Sequence, residues 1–244
     1  MITETIDYKS YILNDENMLN YLKYKLHNSN DRKNDKTQKK EKSTYKSDLF
    51  IPRENDSLFW CYYIISNGDN KYQMLNIKNS LIEKQLKIDY INKIRNNKQI
   101  IKSYKFDTVT NIENNLANEN LINIKTVMTL FVVDKINLIF VSKNTYFELL
   151  MNDTEPVYII REIQSQSKYK SKYGFEIADK CILDDIKSKF FQLDTLNKPI
   201  KAISAYKVDD LINIAKKLAI DIVNKETGKN MSKNQLYEEI IKYF

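Results

Sequence analysis

Residues 198–244 read KPIKAISAYKVDDLINIAKKLAIDIVNKETGKNMSKNQLYEEIIKYF, and the rest of the chain is organised around them. Val208, Leu211, Ile214, Ala215 and Leu218 recur at steps of three and four. That spacing puts one apolar stripe on a helix of about three turns. A polar loop follows, with turn chemistry at Thr227-Gly228-Lys229-Asn230. Ser232 then stands as an N-cap, and Gln235, three residues on, completes the pattern of a capping box. Leu236, Ile240 and Tyr243 carry the stripe of a second helix.

Two short helices joined by an extended loop resemble the SAP-type and Rho N-terminal-type modules. The residues that carry the resemblance are Leu211-x-x-Ile214-Ala215-x-x-Leu218-x-Ile220 and Ser232-Lys233-x-x-Leu236. It implies a small helical module, 198–244, that binds duplex DNA or RNA chiefly through phosphates, with Lys207, Lys229, Ser232 and Lys233 as contacts. The physical chemistry agrees, because unpaired N–H groups and the positive end of a helix dipole, backed by lysines, attract anions. The alternative is a helical hairpin that only packs on the body or on a partner. Asp209, Asp210, Glu238 and Glu239 leave the segment only weakly basic.

The 244 residues are 42% apolar, enough for one body of ordinary size and a small appendage. Three glycines and three prolines make punctuation scarce, so long helices and tightly registered strands are expected. No run approaches a membrane span, and MITETIDYKS lacks a basic-then-apolar signal, so an intracellular protein without a membrane partner is expected. Two cysteines, Cys61 and Cys181, and a single histidine do not make a metal cage, and no cofactor is expected. The net charge of +7 favours polyanions, but lysine outnumbers arginine 35 to 4 and asparagine and isoleucine abound, as in an AT-biased genome. Scarce arginine argues against bidentate reading of base edges.

Along the chain, 1–27 has a helical run of Met18, Leu19, Leu22 and Leu26 that ends at His27, and 28–48 has the composition of a basic flexible linker. The body, 49–197, opens with Asp56 or Ser57 as cap of the run Leu58-Phe59-Trp60-Cys61-Tyr62-Tyr63-Ile64-Ile65. A helix apolar on every side must be buried on every side. Periodicity then predicts one long amphipathic helix over 77–104, or two in line, and shorter helices at 111–118 and 124–133. Lys93, Arg95, Lys98, Lys102 and Lys105 crowd the end of the first. Strands at 137–142, 146–150 and 157–161 read as an antiparallel meander. Residues 164–174 read as a solvated hairpin tip or as a basic loop in which Lys168, Lys170 and Lys172 alternate with tyrosines, Tyr169 and Tyr173 offering stacking platforms for unpaired bases. A helix is expected over 179–191. The expected class is α+β, helices packed on a small antiparallel sheet, followed by the helical module.

The body has a resemblance of its own. A buried helix with a cysteine beside aromatics, further helices and then INLIFVSKNTYFEL looks like the papain-like and OTU-type cysteine peptidases. That resemblance implies Cys61 as nucleophile and Asn55 as oxyanion-hole side chain. The chemistry needs a base to draw the thiol proton, and no histidine follows His27. The expectation is therefore a degenerate peptidase-like body, kept for binding, with no catalytic residues; an unrelated α+β body and an active peptidase that uses Cys61 are the alternatives.

Taken together, D-x-L-F-W-C-Y-Y-I-I, K-x-x-Y-F-E and K-P-I-K-A-I-S-A-Y-K-V resemble proteins of nucleocytoplasmic large DNA viruses over residues 50–244. That implies a viral protein of the infected-cell cytoplasm, viral factory, nucleus or virion. The expected function is non-enzymatic binding of DNA or RNA. The rival is an interaction or virion-scaffold protein whose body docks a viral or host partner.

Overall fold

A computed structural model describes residues 49–75, 80–153, 156–163, 171–223 and 228–244. The expected N-terminal helix and linker, 1–48, lie outside the described residues. The described chain falls within one compact unit, Ser47–Phe244.

The body begins at Asp56, whose carboxylate accepts the Phe59 N–H at 3.2 Å and so caps α1 (Ser57–Asn67). Gly68 ends the helix at φ 86°, where a residue without Cβ meets no strain, and its N–H returns to the Ile64 carbonyl. Every residue from Ser57 to Ile64 is buried, as its all-round apolar sequence requires. The two polar aromatics that are wholly buried there find partners: Trp60 Nε1 donates to Glu83 at 2.9 Å and Tyr62 Oη to Asp134 at 2.7 Å. A short α2 (Asp69–Met74) follows.

The long periodic stretch is two helices in line, α3 (Ser80–Asn96) and α4 (Lys98–Tyr104), separated at Asn97. Next come α5 (Val109–Asn118), capped by Thr108, and α6 (Ile124–Asp134), capped by Asn123. One residue of α3 breaks the amphipathic pattern. Lys87 is only 1% exposed, and its ammonium donates to Asp56 at 2.7 Å, Glu83 at 2.9 Å and the Asn120 carbonyl at 3.3 Å.

The sheet is mixed, not the expected antiparallel meander. Strands β1 (Asn137–Ser142), β2 (Thr145–Leu149), β3 (Val157–Ile163), β4 (Lys172–Ile177) and β5 (Phe191–Gln192) lie in the order β4-β3-β1-β2-β5. The β1–β2 hairpin is antiparallel, but β3 pairs with β1 in parallel, Asn137 opposite Val157. Asn137 holds that crossing: buried, it accepts the Met151 and Asn152 N–H groups at 2.7 and 3.0 Å. The reason for the parallel pair is burial on both faces. Leu138, Phe140, Phe147, Leu149 and Ile160 face the main helical core, while Ile139, Val141, Tyr146 and Ile159 pack with Ile186 of α7 (Lys180–Lys189). Unbroken apolar runs such as LIFV and VYII suit strands covered twice, not a one-sided meander.

The hairpin tip or loop expected at 164–174 is also corrected at its end. Lys172, Tyr173 and Gly174 belong to β4, antiparallel to β3 from Ile163↔Lys172 to Tyr158↔Ile177. Gly174 is needed because a Cβ there would stand 3.0 Å from the Phe50 carbonyl oxygen. After β5 the chain passes a 3-10 turn (Ile203–Ala205) to α8 (Val208–Leu218) and α9 (Lys233–Tyr243), both close to the expected spans.

Exchanging Lys87 for Met keeps much of the volume but strands the Asp56 carboxylate without its counter-charge. Lys87→Met is expected to cost about 3–5 kcal/mol in urea unfolding. Lys189→Met, which breaks an exposed pair with Asp185, should cost about 0.5 kcal/mol or less. Equal effects would refute the role given to the buried cluster.

Candidate nucleic-acid interface

The C-terminal helices have an apolar cluster of their own, Leu211, Ile214, Ala215, Leu218, Leu236 and Ile240, so the stripes seen in the sequence face each other. Both helices direct their C-terminal ends at the body. Lys217, in the last turn of α8, lies over the carbonyls of Lys187 and Phe190 at 3.5 and 3.4 Å. Tyr243, at the end of α9, accepts the Asn144 N–H from the β1–β2 turn at 3.0 Å, beneath the Lys143 ammonium, and Phe244 packs on Phe191. The first turns of both helices are consequently left on the side away from these contacts. The Lys201 peptide joins their approaches: its N–H donates to the Tyr206 hydroxyl and its carbonyl accepts the Tyr237 hydroxyl, each at 2.9 Å.

The two helix starts differ in charge. At α8, Lys207 is the exposed N-cap residue, and its own N–H is taken by the Asp210 carboxylate at 2.8 Å. A lysine side chain has no acceptor, so the reciprocal half of a capping box is missing there. Asp209 and Asp210 fill the positive end of this dipole. At α9, Ser232 Oγ accepts the Gln235 N–H at 3.4 Å while Gln235 Oε1 accepts the Ser232 N–H at 2.9 Å, the expected capping box. Of the four amides a helix start leaves over, those of Lys233 and Asn234 remain without an intrahelical partner. No acidic residue occupies this first turn. Exposed Lys229 precedes it and half-buried Lys233 opens it, and the Val223↔Asn230 bridge with the Met231 N–H bond to the Ile222 carbonyl positions the approach.

The other expected contacts do not join this group. Lys172 is exposed at the start of β4, one edge of the sheet, whereas α8 packs beside β5 at the other. Four inter-strand gaps separate those edges by roughly 19 Å. Lys168, Lys170 and Tyr169 lie outside the described residues. Tyr173 is no stacking platform: half-buried against Phe140, it has its hydroxyl pushed up to about 12 by burial first and by Glu162 second.

Cys61 sits in the second turn of α1 with no exposed surface, its thiol turned to the Tyr173 carbonyl at 3.6 Å. The β4 edge closes that end of the helix, since the Tyr173 N–H also donates to Ser57 Oγ at 2.9 Å. Burial, then the charges of Asp56 and Glu54, pushes the thiol far above its ordinary value, so it stays protonated at neutral pH. Asn55 is exposed in a small hollow beside Ser57, but no imidazole accompanies either residue among those described. A substrate carbonyl has no path to Sγ in this arrangement.

Comparison with family models, with curated proteins and with solved structures finds no match to this chain. Among the described residues no helix is long and apolar enough to cross a membrane.

Iodoacetamide in native buffer is expected to modify exposed Cys181 and to spare Cys61 until denaturant is added, read by peptide mass spectrometry. Modification of both at similar rates would show that α1 is open to solvent.

Proposed function

We propose that this chain is a non-enzymatic nucleic-acid-binding protein that holds phosphates of DNA or RNA at the start of α9. The observation that carries the reading is that first turn: two amides beyond the capping box, no carboxylate among them, and Lys229 and Lys233 on either side of Ser232. Docking through the C-terminal ends keeps it exposed. Lys207 adds charge from the start of α8, reduced by Asp209 and Asp210 beside it. The resemblance of the helix pair to SAP-type modules supports the same reading, and the sealed thiol supports a body without peptidase activity. Lysines and amides recognise the backbone rather than base edges, so binding is insensitive to sequence and steep in salt.

One observation favours a second reading, a docking role for the body. Met74, Leu81 and Ile88 expose apolar side chains on α2 and α3, at 76, 73 and 48%. A partner retained on the body after nuclease treatment would support it.

The test is fluorescence anisotropy with duplex DNA and duplex RNA between about 50 and 200 mM salt. Lys229→Glu with Lys233→Glu is expected to weaken binding at least about tenfold and to flatten the slope of log K against log salt by about 2. Unchanged binding by the double variant, or none by the parent chain, would overturn the assignment.

A further inference from the structure

Beside the body's α4–α5 turn lies an open basin of about 760 Å³ into which four lysines converge. Lys98 and Lys102 stand one turn apart on α4, Lys105 closes that helix at φ 53°, and Lys125 comes from the first turn of α6. The two carboxylates in the lining are engaged elsewhere. Arg95 grips Glu113 through Nε and Nη2 at 3.1 and 3.0 Å, and Asp107 Oδ1 accepts the Thr108 N–H and the Asn111 Nδ2 at 2.7 and 2.8 Å. Lys98 helps to keep Glu113 ionised without pairing to it. Among the described residues none of the four lysines forms an ion pair.

Helix electrostatics accounts for only half of this cluster. Lys102 and Lys105 sit at the negative end of α4, where cations are favoured. Lys98 and Lys125 open their helices, at the positive ends, where a cation is disfavoured. Four mutually repelling ammonium groups, two of them on the wrong end of a dipole, face only the carboxylates of Asp107 and Glu113, the latter paired with Arg95, so the cluster lacks its full compensating charge within the fold. A bound polyanion supplies it.

The position of the basin says which polyanion. Asn197 lines it and donates Nδ2 to the carbonyls of Lys105 and Phe106 at 2.9 and 3.2 Å, which fastens the segment leading to the C-terminal helices onto the rim. Lys207 follows ten residues later and so lies within about 35 Å even if that segment were fully extended. A duplex carries a charge every ~1.7 Å of axis, so about one turn spans the interval. The lysines are spread over two helices and a turn, three of them exposed and Lys125 half-buried, which matches successive phosphates on a strand better than one compact group. We infer that the basin formed by Lys98, Lys102, Lys105 and Lys125 is a second phosphate-backbone contact, gripping the same duplex that α9 holds. This rests on the function proposed above and extends its footprint from the terminal helices to the body.

The test uses the full chain with long DNA and RNA duplexes of about 24 base pairs. The variant combines Lys98→Gln, Lys102→Gln, Lys105→Asn and Lys125→Gln, Asn being chosen because it tolerates the left-handed conformation of residue 105. An unchanged thermal melt checks that it folds. On the long duplex its salt slope should flatten by about 3 and its affinity fall more than about tenfold. If the long duplex shows no change while Lys229→Glu with Lys233→Glu weakens it, the basin is not a contact and the function stands. If the parent binds neither duplex, the function itself fails.

Discussion

The fold depends on the carboxylate of Asp56. It caps α1, receives the Lys87 ammonium and takes the Ile122 N–H at 2.9 Å, so it joins the central helix to α3 and to the approach of α6. Its burial lifts the carboxyl above its usual range, while Lys87 and the two amides oppose that shift. Such a cluster adds little net energy over well-packed apolar groups, yet each member is costly to remove singly. Its structural effect is orientation. With α1 held at its N-terminus, Trp60, Tyr62 and Phe59 are set among Tyr63, Tyr72, Tyr90 and Phe131, mostly edge to face, and the sheet closes the remaining side.

The same geometry separates the chain's two chemical possibilities. A thiol on the buried part of α1 is shielded from substrate and from any base, whereas charge collects on the outside, at the start of α9 and around the α4–α5 turn. Between them lies the segment 193–200, held by Asn197. The terminal helices form a second small core and are tied back through Tyr243 and Phe244. Tyr243 and Phe244 thus fix which end of α9 meets the body.

Several features were legible because they are local. Burial of Ser57–Ile64 follows from the unbroken apolar run of α1, a helical stretch of one helix or two over 77–104 from its periodicity, and the Ser232–Gln235 box from four residues of sequence. Both stripes of the terminal pair were legible as periodicity. The failures have a common origin in contacts between distant segments. Lys87 carries no local mark that distinguishes it from Lys84, and only the arrival of Asp56 makes its position internal. The parallel pairing of β1 with β3 was hinted at by LIFV and VYII, but a two-residue hairpin turn next to them favoured a meander. Strand β4 was hidden by the lysines that precede its Tyr173, Phe175 and Ile177 alternation. Lys125 escaped the reading altogether, being 20 residues from Lys105 in sequence.

The sequence by itself determined the spans of α1, α5, α6, α8 and α9 to within a turn, which of their faces are apolar, and that a lone histidine leaves Cys61 without an imidazole on any later element. Those properties depend on neighbours within a turn or two of chain, or on composition. Tertiary structure alone decided that the sheet is mixed, that Cys61 is closed off by Tyr173, that Lys172 stands on the far edge, and that four lysines from two helices and a turn share one basin. Each of these depends on which distant surfaces exclude water together, a condition that no short stretch of residues contains.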